Sequence, residues 1–202
     1  MKPIITKRLI IRPFRHNDLG EIYRIMDVEL KYKESVYDEL SINNRKQWLD
    51  WTIMSYYEIT KRQSLPFVMK AVVLRESLEL IGMCGLKAET APLGYLPEYR
   101  YIADVKQGDE NYLETGIFAA ISPHYQCRGF AYEALKSLIE NAFDKYNLSR
   151  LIGITEMYNN PALAVIKRLG MRIGYIQTNK FNKAIGIIDK AGILNQNIKR
   201  AI

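Results

Sequence analysis

The sequence predicts an α/β fold, a mixed sheet with helices on its faces. Three observations carry that expectation. Apolar residues switch along the chain between the period of two expected of strands and the period near 3.6 expected of helices. The second half reads strand, helix, strand, helix, strand. At 202 residues and 48% hydrophobic, the chain has material for one well-packed domain and is short for two.

The elements follow in order. Residues 4 to 11, IITKRLII, read as one strand that Pro13 stops from extending. From Asp18 to Val28 the apolar residues Leu19, Ile22, Ile25 and Met26 recur at helical spacing, and Asp18 with Glu21 suits a capping box. The polar stretch LKYKESVYDELS is irregular. A second helix starts near Asn44, with Gln47 three residues on, and runs through Trp48, Trp51 and Ile59. Strands at 66–74 and 78–86 are joined by Arg75, Glu76 and Ser77 as a hairpin. Between Lys87 and Asn111 the pattern lapses, which marks a functional connection or hidden short elements. Beyond it lie a strand near 113–121, a helix over 129–145, a strand at 150–156, a helix at 160–169, and strands near 171–177 and 184–189. No internal repeat interrupts this order, so residues 1–190 are read as one domain and 191–202 as a tail.

Bulk properties exclude several classes. No run of 18 apolar residues appears, and the N-terminal MKPIITKRLIIRPF lacks the apolar core of a secretory signal. Cys84 and Cys127 are too few for a disulfide framework, which points to a reducing cytoplasm. With only His16 and His124 besides, no metal-ligand spacing is present, and no metal is expected. The net charge is +7, from 29 Lys and Arg against 22 Asp and Glu. The basic residues are scattered, with no run of five, which disfavours nucleic-acid binding and reads most simply as a solvated basic face.

The segment QCRGFAYEAL, residues 126–135, carries the chemistry. Ala131, Ala134, Leu135, Leu138, Ile139, Ala142 and Phe143 form a buried stripe at helical spacing. The knot before them sits at that helix's N-terminus, where unpaired N–H groups and the positive dipole end favour an anion. Gly129 allows close backbone approach and Arg128 adds charge. A plain strand–helix turn remains the alternative. The forms GxxxxGK[ST] and GxGxxG are both absent. Cys127, three residues after His124, raises a nucleophile reading, but no third member of such a set is evident.

Laid out in this way, the chain resembles the GNAT superfamily of acyl-CoA-dependent N-acetyltransferases. The family's [QR]-x-x-G-x-[GA] signature is matched by Gln126-Cys127-Arg128-Gly129-Phe130-Ala131. NNPALAVIKRLGM resembles its later helix, with Asn159, Ala162, Arg168, Gly170 and Met171 in matching places. TKRLIIRPFRHND and IGMCGL are similar to the ribosomal-protein N-terminal (RimJ/RimL-like) acetyltransferase branch. The likeness runs from about residue 4 to 176. It implies a single-domain fold whose mostly antiparallel central sheet splays between its fourth and fifth strands, with helices on both faces. It further implies acetyl-CoA as co-substrate, its pantetheine arm in that opening. By matching position, Ile121 and Ser122 offer backbone groups to the arm. The N–H groups from Gln126 through Cys127, Arg128, Gly129 and Phe130 to Ala131 hold the pyrophosphate, and Asn159 bonds the pantetheine near the thioester.

Departures from the family pattern fall on the proton-transfer groups. The carboxylate base that the family often carries on its fourth strand is replaced here by Gly116. Glu114, two residues earlier on the same strand face, is the candidate base, its alternative being a solvated strand-end carboxylate. The donor positions on the last helix hold Ile166 and Ala162, which leaves Tyr158 as the candidate acid, against a packed tyrosine. Approximation alone supplies much of the rate in such chemistry. Tyr32, Tyr37, Tyr95, Tyr99 and Tyr101, with Glu34, Asp38 and Glu39, line an acceptor groove or simply the surface.

The resemblance thus implies a cytoplasmic N-acetyltransferase that acts on a primary amine, either a protein N-terminus or a small molecule, by direct attack in a ternary complex. A CoA-binding protein of the same fold without efficient catalysis is the alternative within the family. A basic nucleic-acid-binding module is the alternative outside it. The tail is read as a flexible end or an oligomer contact, which keeps a homodimer open.

Overall fold

Ile4 and Ile5 pair antiparallel with Ile11 and Ile10, so the first apolar run is two short strands, not the single strand expected from its composition. Thr6 makes the turn between them. Its N–H donates to the Leu9 carbonyl at 2.9 Å, and its hydroxyl oxygen accepts from the Leu9 N–H at 2.9 Å. The polar Thr-Lys-Arg triplet between two isoleucine pairs is the signal for this break, because a threonine hydroxyl competes for nearby backbone groups.

The computed structural model describes residues 1–32, 40–62, 66–96, 111–179 and 182–190. The predicted tail, Glu34, Tyr37, Asp38, Glu39, Tyr99, Tyr101 and most of the long connection lie outside the described residues. The strands are β1 (Ile4–Ile5), β2 (Leu9–Arg12), β3 (Val68–Leu74), β4 (Leu80–Ala91), β5 (Tyr112–Ile121), β6 (Arg150–Glu156), β7 (Arg172–Gln177) and β8 (Asn182–Asp189). They form one sheet in the order β1-β2-β3-β4-β5-β6-β8-β7. The β1/β2, β2/β3, β3/β4, β6/β8 and β7/β8 pairs are antiparallel. The β5/β6 pair is parallel and registered at Gly116↔Ile152. The mixed, mostly antiparallel α/β sheet expected from the sequence is therefore present.

The helices are α1 (Leu19–Tyr23), continued by a π-helical turn over Arg24–Glu29, α2 (Ile42–Arg62), α3 (Phe130–Tyr146) and α4 (Asn160–Arg168). Capping differs from expectation by a few residues. At the first helix Asp18 reaches back to the Arg15 N–H at 2.7 Å, so the box closes on Arg15, one turn earlier than predicted. At α2 the hydroxyl of Ser41, not Asn44, accepts from the Asn44 N–H at 3.3 Å. The hairpin between β3 and β4 is present as predicted, and the lapse after Lys87 hides the end of β4 and a 3₁₀ turn at Leu93–Tyr95.

The chain divides into two compact units, Met1–Leu86 with Phe118–Leu138, and Lys87–Ile117 with Ile139–Ile202. In the first, alternation along the strands feeds two cores. Ala71 and Val73 face Ile22, Ile25 and Leu49 of the early helices. Val72, with Leu9 and Ile11, faces Phe130 and Ala134 of α3. Burying both faces of these strands makes their sequence apolar at nearly every position. In the second unit, Ile152, Ile185 and Ile187 pack with Ala91, Leu93, Leu96 and Ile176. Leu163 and Ile166 of α4 are also buried.

Candidate active site

The QCRGFA knot begins where β5 ends. Ser122 is fully buried and donates its N–H to the Ile81 carbonyl at 2.8 Å. Its hydroxyl donates to Glu29 Oε2 at 2.6 Å. Pro123–Tyr125 forms a 3₁₀ turn, after which the Gln126 N–H, expected among the pyrophosphate donors, instead donates to the Pro123 carbonyl at 3.3 Å, and its side-chain amide donates back to the Ile121 carbonyl at 2.9 Å. Cys127 (φ 59°) and Gly129 (φ 77°) both take left-handed backbone, and α3 starts at Phe130. Such a conformation is open to glycine and strained for a side chain. Among the described residues, no acceptor serves the N–H groups of Cys127, Arg128, Gly129, Phe130 or Ala131. Five successive donors at a helix N-terminus make a concentrated anion site.

The knot is braced by residues that sequence reasoning missed. The Glu133 carboxylate accepts from the Thr6 hydroxyl at 2.6 Å, the Arg8 N–H at 2.8 Å and Arg8 Nε at 2.7 Å. Burial pushes the Glu133 carboxyl up, but the hydrogen bonds from Thr6 and Arg8 and the Arg8 charge outweigh it and hold it below the usual range. Its charge is thus neutralised locally and does not oppose an anion at the knot. Arg8 Nη1 also donates to the Arg128 carbonyl at 3.0 Å, and its guanidinium lies 4.3 Å from the Phe130 ring centroid. Glu29, which accepts from Ser122, is paired with Arg24 and has His124 Nε2 at 3.7 Å. His124 therefore faces Glu29. No hydrogen bond links it to the exposed Cys127 among the described residues, so the nucleophile reading gains no support.

The second unit holds the other predicted residues. Asn159 caps α4, its Oδ1 accepting from the Ala162 N–H at 3.2 Å, which leaves its Nδ2 as a donor. Tyr158 beside it is 75% exposed. Glu114 is 7% exposed, and Arg150 binds both its oxygens, one from Nε at 2.8 Å and the other from Nη2. The parallel register explains the pairing: two residues before Gly116↔Ile152 on each strand stand Glu114 and Arg150. Arg150 opens β6, whereas Tyr158 and Asn159 follow its other end, a separation of roughly 20 Å along the strand at about 3.3 Å per residue. The two predicted proton-transfer groups are not brought together.

Gly116 itself is covered. A Cβ placed there would collide with Cγ of Glu89 from β4 and stand 3.4 Å from its carboxyl carbon. Glu89 is paired with Lys87 of its own strand, and its side chain is 20% exposed. No sequence signal marked this residue, because it belongs to a different strand from the position it fills. Among the described residues, no group of three His, Cys, Asp or Glu side chains is placed to hold a metal ion, and no helix is long and apolar enough to cross a membrane.

Comparison with known proteins adds sequence and fold relatives. The family model for the acetyltransferase (GNAT) domain matches residues 8–172. The uncharacterized N-acetyltransferase YnaD of Bacillus subtilis (strain 168) is 28% identical over 169 residues, covering 84% of this chain and 82% of the relative. A GNAT-family acetyltransferase from Bacillus anthracis superposes with a TM-score of 0.67 at 17% identity, covering 94% and 99% of the two chains. The ribosomal-protein-S5-alanine acetyltransferase from Vibrio fischeri does so with a TM-score of 0.66 at 13% identity, covering 94% and 97%. The ribosomal L7/L12 alpha-N-protein acetyltransferase RimL, solved with coenzyme A, gives 0.64 at 11% identity, covering 93% and 98%. At these identities the solved structures share the fold.

Proposed function

The chain belongs to the GNAT acetyltransferase family and is an acyltransferase, and from that premise we propose that it moves acetyl from acetyl-CoA to a primary amine by direct attack in a ternary complex. The row of unpartnered N–H groups from Cys127 to Ala131 carries this reading, since it fits a pyrophosphate and little else in the knot is free. Gln126 closes the knot's entry through its own side chain. For the pantetheine arm, the carbonyls of Ile121 and Ser122 keep a second lone pair each, and Asn159 keeps Nδ2.

The acceptor is proposed to be a protein N-terminal α-amine or a small amine, and alanine N-termini are the first to try given the S5-alanine enzyme among the fold neighbours. Attack needs the neutral amine. One proton must leave nitrogen, the C–N bond forms, the C–S bond breaks, and the thiolate is protonated. Tyr158, exposed beside Asn159, is the proposed donor to that thiolate. Glu114 enters this reading chiefly as the partner of Arg150. Two free thiols, Cys84 and Cys127, suit a reducing cytoplasm.

A second reading, CoA binding without efficient turnover, is favoured by one observation: both oxygens of the predicted base are taken. Thermal unfolding with acetyl-CoA and with S-acetyl-pantetheine, which lacks the pyrophosphate, separates the cases. At 100 times its dissociation constant a ligand raises stability by about 2.7 kcal/mol. The expected result is a clear shift with acetyl-CoA, a smaller one with the truncated thioester, and thiol release with Ala-initiated peptides or spermidine. A shift without thiol release selects the second reading, and no shift at millimolar acetyl-CoA sinks both.

A further inference from the structure

Direct attack leaves one group unassigned, the base that takes a proton from the acceptor's ammonium. Glu114 is committed to both arms of Arg150, and Glu156 is paired with Lys183 of the adjacent β8. Glu89 stands differently. Its side chain crosses from β4 onto Gly116, the residue at which β5 registers with β6, and fills the space that a side chain there would occupy. The glycine is what admits it. Its side chain is 20% exposed, which leaves it reachable yet partly desolvated, and among the described residues its ion partner is the single ammonium of Lys87. A lysine on a flexible stem releases a carboxylate far more readily than a bidentate guanidinium does.

We propose that Glu89 is the general base of the acetyl transfer, delivered across the sheet to Gly116; this rests on the acyl-transfer reading above. Glu89 takes one N–H proton of the acceptor ammonium, directly or through one water, and later yields it to solvent. The freed nitrogen pair forms the C–N bond and the C–S pair departs on sulfur; of the two N–H protons left, one stays on the amide and the other leaves nitrogen, balancing the proton that Tyr158 gives the thiolate. Among the described residues, Lys87 on the same strand pairs with Glu89, and Glu114 pairs with Arg150 across β5 and β6.

The test is steady-state acetylation by the full chain, using acetyl-CoA and an Ala-initiated peptide from pH 6 to 9.5, with acetyl-CoA affinity measured separately. Positioned bases contribute about 10²–10⁴-fold. Glu89→Gln should lose at least about tenfold in kcat at pH 7 with acetyl-CoA affinity unchanged. The deficit should close toward pH 9.5 as the amine deprotonates unaided. Gly116→Ala, whose Cβ displaces Glu89, should show the same pH-dependent deficit and add nothing in the Glu89→Gln background. Unchanged kcat, or a deficit constant across pH, overturns the assignment while leaving acyl transfer intact. A wild-type protein that binds no acetyl-CoA overturns the underlying reading instead.

Discussion

Arg150 grips Glu114 through both carboxylate oxygens, and the two stand side by side because β5 and β6 run parallel with Gly116 opposite Ile152. Removing one partner of a buried pair leaves an uncompensated charge, at a cost of about 3–5 kcal/mol, and the partial exposure of Arg150 puts Glu114→Gln nearer 2–3. At about 2–4 °C per kcal/mol for a chain of this size, Tm should fall by roughly 4–12 °C. Replacing both residues by methionine should recover much of that loss. Wild-type Tm in Glu114→Gln, with turnover lost, would return Glu114 to the role of base.

Gly129 sits at φ 77° in the middle of the free N–H row. A β-branched side chain there costs about 1–3 kcal/mol and turns the neighbouring N–H groups away from a common point. Gly129→Val should therefore fold with a lowered Tm and lose most of the stabilisation that acetyl-CoA gives the wild type. Its response to S-acetyl-pantetheine, which has no pyrophosphate to lose, should change little. An undiminished acetyl-CoA shift would show that the row does not hold the cofactor.

How much of this was legible in the sequence depends on how local the signal is. The stripe Ala131, Ala134, Leu135, Leu138, Ile139, Ala142 and Phe143 is written in one helix, and all of it is buried except Ala131 at the helix start, which is half-buried. The knot is equally local, its glycine required by one backbone angle. The break at Thr6 was missed because four flanking isoleucines outweigh a three-residue turn in any strand pattern. Arg8, Glu29, Glu89 and Glu133 were missed for another reason. Each acts on a residue distant in sequence, such as Glu133 on Arg8 or Glu89 over Gly116, and no spacing rule within one element reveals such a pair. Glu114 was found as a carboxylate, but its partner became visible only through the parallel register.

Arg8 joins β2 to the knot by three contacts at once: the Glu133 carboxylate, the Arg128 carbonyl and the Phe130 ring. It is a positioning residue, since it touches a carboxylate, a carbonyl and a ring of the loop and none of its N–H groups. Charge-assisted hydrogen bonds of this kind are worth about 1.5–3 kcal/mol, much reduced by exposure. Arg8→Met should raise the dissociation constant for acetyl-CoA about 5–10-fold, the equivalent of roughly 1–1.4 kcal/mol, with kcat at saturation nearly unchanged. Arg8→Lys keeps the charge but not the fork, and should recover only part. Equal losses in kcat and affinity would mean that the residue merely supports the fold.

The alkaline limit of stability should be set inside the first unit, where Cys84 and Tyr56 are buried. Burial pushes the Cys84 thiol from its ordinary 9.0 up to about 12, with Lys70 opposing. Burial also raises the Tyr56 hydroxyl, which donates to the Met69 carbonyl at 2.6 Å and accepts from the Phe14 N–H at 2.9 Å. In both cases the folded protein favours the protonated form more than the unfolded chain does. Their contribution is therefore complete below the unfolded values near 9 and 10, and it is lost as pH rises toward the folded values. Each group can remove up to about 1.4 kcal/mol per pH unit inside its window. The urea midpoint should stay level from pH 7 to 8.5 and fall steeply beyond 9, with the onset moved toward 10 in Cys84→Ala. An onset that stays in place in that variant would assign the alkaline loss to other groups.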